Sequence, residues 1–127
     1  MNSDLIFDIG MHNGDDTAYY LYKGFKVVAV EADPDMAAEC QKRFAAEIKM
    51  GRLKIINVAI AANQGEADFW ICDNLRVWNS FDRSIAFRNG LPCHAIKVKT
   101  VPLRDILTEH GVPRLLVDAA TCRRFAR

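Results

Sequence analysis

The 127-residue sequence predicts a single α/β domain built on a mostly parallel, doubly wound sheet. Three observations carry that expectation. Apolar, partly β-branched runs at 5–7, 27–30, 53–60 and 115–117 alternate with helical patterns. A glycine-containing loop, residues 10–14, joins the first run to the first helix. The second and fourth runs are each followed by a carboxylate, Glu31 and Asp118.

The first strand leads to Asp8, Ile9 and Gly10. Gly10 and Gly14 have no Cβ, so the loop between them can turn sharply and bring a ligand against backbone. Asp15 or Asp16 is expected to cap the helix over 17–23, with Lys23 in its last turn and Gly24 closing it. One or two of Tyr19, Tyr20 and Tyr22 are expected to pack on the sheet and the rest to face water. The second strand ends at Glu31, which follows Gly10 by about twenty residues, the spacing of a ribose-binding carboxylate in dinucleotide folds. The loop departs from G-x-G-x-x-G, however: it reads G-x-x-x-G followed by two aspartates. Those carboxylates repel a pyrophosphate and favour a cationic cofactor with a ribose and no phosphate. S-adenosylmethionine fits that description.

Asp33 is placed to be an N-cap, with Pro34 at the first helical position. Met36, Cys40, Phe44 and Ile48 then form one apolar stripe of a single helix ended by Gly51. Residues 53–60 read as one buried parallel strand, and right-handed crossovers order the strands 3-2-1. After the turn at Asn63-Gln64-Gly65, residues 66–72 and 95–101 alternate polar and apolar, as an antiparallel hairpin appended to the sheet. Residues 73–94 between them form a long loop in which Trp78, Phe81 and Phe87 suggest a lid. Arg76, Arg83 and Arg88 in it are solvated charges by default, and could meet an anionic acceptor. Leu103, Ile106 and Leu107 make one face of a short helix that ends near Gly111 and Pro113. Residues 115–118 are the fourth parallel strand, giving the order 3-2-1-4, with a ligand crevice between strands one and four. Residues 119–127 carry three arginines and no strand pattern, so the further strands of a complete sheet are missing. The bare apolar edge invites a second copy or a partner chain.

A net charge of +1, with no basic stripe before the tail, removes the electrostatic case for a nucleic-acid partner. No apolar run approaches the roughly 18 residues of a membrane span, and the polar, acidic N-terminus is no signal peptide. Cys40, Cys72, Cys93 and Cys122 are widely spaced and lack a C-x-x-C motif, which suits reduced thiols in a cytoplasmic protein. There is no metal-ligand cluster and no Ser-His-Asp pattern.

Asp8-Ile9-Gly10 with Asn13-Gly14-Asp15 and Thr17, then Val28-Ala29-Val30-Glu31 with Pro34, resemble the FkbM-type methyltransferases. Asn57-Val58-Ala59-Ile60, Gly65, Phe69, Val101, Leu103, Asp105 and Ile106-Leu107 follow in the family's order, so the resemblance covers roughly residues 5–118. It implies a Rossmann-like class I methyltransferase sheet and S-adenosylmethionine-dependent methylation of a hydroxyl on a small molecule or sugar. The family's fourth strand usually reads Lys-Ile-Asp-x-Glu-Gly, whereas here only Asp118 of that motif remains. Family members also continue for about another half-domain.

The resemblance therefore implies one incomplete methyltransferase domain over 1–127. Its parts are a cofactor-binding βαβαβ at 1–62, a hairpin with a long loop at 63–101, and a helix, fourth strand and atypical tail at 102–127. A truncated or frame-shifted copy is one explanation.

Carried onto this sequence, Gly10 and Gly14 make room for the methionine part of the cofactor, with Asn13 beside them. Asp8 orients the loop or reaches the ammonium through water, unless it only caps loop N–H groups. Glu31 holds the ribose, and Asp118 lies near the methionine end or the acceptor. His12 is a base or, on the simpler reading, a solvent-facing loop residue; His94 and His110 are surface residues. The alternatives are a non-catalytic S-adenosylmethionine-binding remnant and an NAD-binding oxidoreductase fragment, which Glu31 alone would allow.

Overall fold

The computed structural model describes residues 2–72 and 93–118. The lid and three arginines expected within 73–92, and the tail 119–127, lie outside them. Four parallel strands form the main sheet: β1 (Asn2–Ile9), β2 (Lys26–Val30), β3 (Leu53–Ile56) and β7 (Pro113–Asp118), in the order β3-β2-β1-β7. This is the predicted 3-2-1-4 arrangement. A smaller sheet of β4 (Ala59–Ile60), β6 (Cys93–Val101) and β5 (Gly65–Cys72) is ordered β4-β6-β5.

Strand alternation sorts the core into two faces. Val27 and Ala29 face one side, against Leu21 of α1 (Asp15–Tyr22), Cys40 of α2 (Pro34–Arg43) and Phe44. Tyr20 joins that cluster, while Tyr19 and Tyr22 are exposed, so the tyrosines divide as expected. Leu5, Phe7 and Val28 face the other side, against Ile106 of α4 (Leu103–His110). Helices thus cover both faces, which is why β2 is apolar throughout rather than alternating.

Five expectations need correction. The run 53–60 is two strands in two sheets. Glu31 N–H still donates to Ile56 O at 3.1 Å, but Asn57 Nδ2 then donates to Glu31 O at 2.8 Å and Ala32 O at 3.2 Å. Asn57 thereby ties the chain to the end of β2 as it leaves the parallel sheet, and Ala59–Ile60 pairs with β6 instead. The hairpin accordingly belongs to this second sheet rather than extending the first. Its alternation is as predicted, with Phe69, Ile71 and Val98 buried and Glu66, Asp68, Lys97 and Lys99 exposed.

The helix after Pro34 is bent at Phe44 (φ −108°, ψ 26°), giving α2 and a separate turn α3 (Ala45–Lys49). The apolar stripe survives the bend because Ile48 N–H still donates to Phe44 O at 3.0 Å. Neither Asp15 nor Asp16 caps α1. The N-cap is Gly14 at φ 89°, and Asn13 Oδ1 accepts the Asp15 N–H at 3.1 Å. The two aspartates occupy the first turn, where the helix dipole favours them. Lastly, His110 is not a surface residue: 9% of its side chain is exposed.

Candidate functional site

All four parallel strands point their carboxyl ends to one edge, and the predicted site residues collect there. Asp8, next to last in β1, is buried and accepts the Thr17 hydroxyl at 2.6 Å. This bond ties the strand to the helix after the glycine loop. Burial raises the Asp8 pKa; the Thr17 bond partly opposes this and the charge of Asp16 adds to it.

The loop itself is held from below. Gly10 and Met11 N–H donate to Val30 O at 2.7 and 3.2 Å. Gly14 could not be another residue: its φ is +89°, and a Cβ would stand 2.6 Å from Phe44 Cε2 and 3.2 Å from Cys40 Sγ. The absent side chain is what lets the α2–α3 bend nest under the loop. Cys40 Sγ donates to His12 O at 3.3 Å, and Arg43 donates to Asn13 O at 2.8 Å and to Asp15 Oδ1 at 3.0 Å. Thr17 belonged to the sequence resemblance without a role, whereas nothing in the sequence pointed to Arg43, thirty residues from Asn13.

Glu31 is the best-fixed carboxylate. Oε1 accepts the His12 N–H at 2.8 Å and Oε2 accepts the Asp33 N–H at 2.8 Å, with 3% of the residue exposed. Burial raises its pKa, partly opposed by the N–H groups of Asp33, His12 and Ala32; the charge of Asp33 adds to the rise. Asp33 is the predicted N-cap, accepting Asp35 N–H at 3.0 Å and Met36 N–H at 3.4 Å. His12 is half-buried at φ 52°, a left-handed conformation that histidine tolerates better than most residues. Its Nδ1 lies 3.7 Å from Glu31 Oε1, so ring and backbone both face that carboxylate.

Asp118 ends β7 in register with Ile9, half-buried, across the β1–β7 crevice from the loop. The fold thus gathers Asp8, Gly10, His12, Asn13, Gly14, Glu31 and Asp118 at one edge, with Glu31 on the β2 side and Asp118 on the β7 side. A separate groove of about 670 Å³ lies between β6 and α4, with Glu66, Lys97, Lys99 and Asp105 on its walls. Its mixed charge and distance in sequence set it apart from the carboxyl-edge cluster. Among the described residues, no group of three or more His, Cys, Asp or Glu side chains is placed to hold a metal ion. No helix among them is long and apolar enough to cross a membrane.

The edge suits a cationic, phosphate-free cofactor. Its carboxylates include Asp8, Glu31 and Asp118, and the absent Cβ of Gly14 lets the loop sit down on Phe44 and Cys40. The Glu31 carboxylate has more acceptor positions than the backbone N–H groups that already reach it. At 3% exposure, the loop around His12 has to move before a diol reaches them. No curated protein matches the chain. Residues 8–117 match the family described as the methyltransferase FkbM domain, from Asp8 at the end of β1 to Val117 in β7, and the chain belongs to that family.

Proposed function

We propose that the protein binds S-adenosylmethionine at the carboxyl edge of β1 and β2 and transfers its methyl group to a hydroxyl of a small molecule or sugar. The observation that carries this reading is the joining of Asp8, the glycine loop and Glu31 into one buried hydrogen-bonded unit, in a chain of the FkbM methyltransferase family. When bound, the sulfonium would supply an electrophilic methyl group. Glu31 holds the ribose diol, and the loop backbone from Gly10 to Gly14 lies along the methionine part. Asp8 holds the loop against α1 through Thr17 and adds negative charge near the ammonium. Asp118, across the crevice, positions the acceptor hydroxyl or takes its proton. Alignment of acceptor and methyl group supplies most of the rate.

A second reading, cofactor binding without transfer, is favoured by one observation. Asp118 stands without the lysine, glutamate and glycine that usually accompany it in the family's fourth strand. NAD binding fits less well, because Asp15 and Asp16, in the first turn after the glycine loop, would repel a pyrophosphate. The test is incubation with methyl-labelled S-adenosylmethionine and a panel of sugars and hydroxylated small molecules. Label transferred to an acceptor supports the enzyme. Cofactor binding with no transfer across the panel supports the second reading, and NAD binding in preference to S-adenosylmethionine overturns both.

A further inference from the structure

The outer edge of the sheet at β7 is unlike any other part of the fold. β7 is the last strand among the described residues, none of which pairs with its outer side. Leu115 is 50% exposed and Leu116 37%, and as successive residues they point to opposite faces. Val112, just before the strand, is 56% exposed. Edge strands are normally protected by charge, proline or brevity. β3 at the other edge is short and carries Lys54, whereas β7 offers six residues with one proline, at its first position.

The order of residues along β7 says what fits there. Arg114-Leu115-Leu116-Val117-Asp118 reads cation, three apolar residues, anion. Such a strand is complementary to itself when reversed. Centred on Leu116, an antiparallel copy sets Arg114 opposite Asp118, Leu115 opposite Val117, and Leu116 opposite Leu116. Each charge pair occurs twice, on the face that also carries Leu116. A slip of one residue loses both charge pairs and mismatches the apolar positions. Arg114 is exposed, its guanidinium 5.9 Å from the Phe25 ring centroid, an exposed contact that is cheap to leave.

We propose that β7 pairs antiparallel with β7 of a second copy about a two-fold axis at Leu116, joining two four-stranded sheets into one of eight. The contact is isologous, so it closes at the dimer and does not propagate into fibres. The reversed strand also brings the partner's Arg114 beside Asp118, so the crevice between β1 and β7 becomes shared between subunits.

Sedimentation velocity across a micromolar concentration series tests this. The full chain should sediment at twice the 14.3 kDa monomer mass at the upper end. Arg114→Glu, which sets carboxylate against carboxylate at both pairs, should raise the dimer dissociation constant about tenfold or more. Arg114→Glu with Asp118→Arg should restore it. Leu116→Cys, with thiols facing across the axis, should give a covalent dimer under mild oxidation that the unsubstituted chain does not form, and reads the same contact should the charge variants misfold. A monomer at every concentration overturns the proposal. So does a dimer insensitive to Arg114→Glu, or a loss that the double exchange does not repair.

Discussion

β2 and β7 are the two parallel neighbours of β1, and they have opposite surroundings. In β2, Val27, Val28, Ala29 and Val30 are all at or below 5% exposure. In β7 no residue is buried. Both are apolar runs followed or ended by a carboxylate, so composition does not explain the difference; neighbours do. β2 has β3 beyond it and helices over both faces, whereas the described fold stops at β7. The carboxylates follow suit: Glu31 is clamped by two N–H groups at 3% exposure, and Asp118 is half-buried at the rim. The β2 side is thus a closed, hydrogen-bonded unit, and the β7 side is open among the described residues.

The largest expected effect that probes this contrast is on two positive-φ glycines, one on each side. Gly14→Ala sets a Cβ against the Phe44 ring at φ +89° and should cost about 3 kcal/mol, from backbone strain together with overpacking. Gly111→Ala, on the β7 side at φ +94° and ψ 174°, a region open essentially to glycine alone, meets only the end of the Asn2 side chain and should cost about 2 kcal/mol. Urea unfolding of both variants measures the gap; equal losses would erase the distinction between the two sides.

Next in size are the strands themselves. Val28→Ala should lose about 2 kcal/mol by burial and cavity terms. Leu115→Ala, although it removes more atoms, should lose about 1 kcal/mol in dilute protein, because half the side chain already faces water. The same unfolding experiment decides; a larger loss at Leu115 would mean that β7 is covered in solution.

The carboxylates sharpen the comparison on the functional side. Asp118→Asn should leave S-adenosylmethionine affinity within about threefold and lower methyl transfer, while Glu31→Gln should weaken binding about tenfold or more, the scale of a charged hydrogen bond. Calorimetry and label transfer read the two separately.

The smallest effect is on pH dependence. Asp8 and Glu31 both have raised pKa values in the fold, so the native state holds more protons than the unfolded one between the ordinary carboxylate range and those raised values. Stability should therefore fall as pH rises through that window, and Asp8→Asn should flatten part of the fall. Cofactor binding should run the other way, strengthening with pH as Glu31 ionises. Thermal melts with and without ligand across pH 4 to 8 (roughly the span over which carboxylates and their shifted values matter) give both slopes.

Much of the β2 side was legible in the sequence because its signals are local. Gly10, Gly14, Glu31 and the Asp33-Pro34 cap stand at spacings that report strand, loop, strand and helix start, and the structure keeps each in place. What was not legible depends on contacts distant in sequence. The division of residues 53–60 between two sheets is hidden because both pieces are apolar, and only Asn57, reaching back to Glu31 O, marks the change. The bend at Phe44 exists because of a gap at Gly14, thirty residues earlier, and the expected cap on α1 failed because Asn13 reached the Asp15 N–H first. The exposure of β7 follows from which strand lies at the edge, a fact of topology that an apolar run does not carry.

The central claim is that the β2 side forms a cofactor site through Glu31. Isothermal calorimetry of S-adenosylmethionine against the purified chain, with NAD and Glu31→Ala as controls, tests it most directly. The account predicts micromolar binding of S-adenosylmethionine, lost in Glu31→Ala, and none of NAD. A folded chain that binds no S-adenosylmethionine, or binds it equally well without the Glu31 carboxylate, would contradict it.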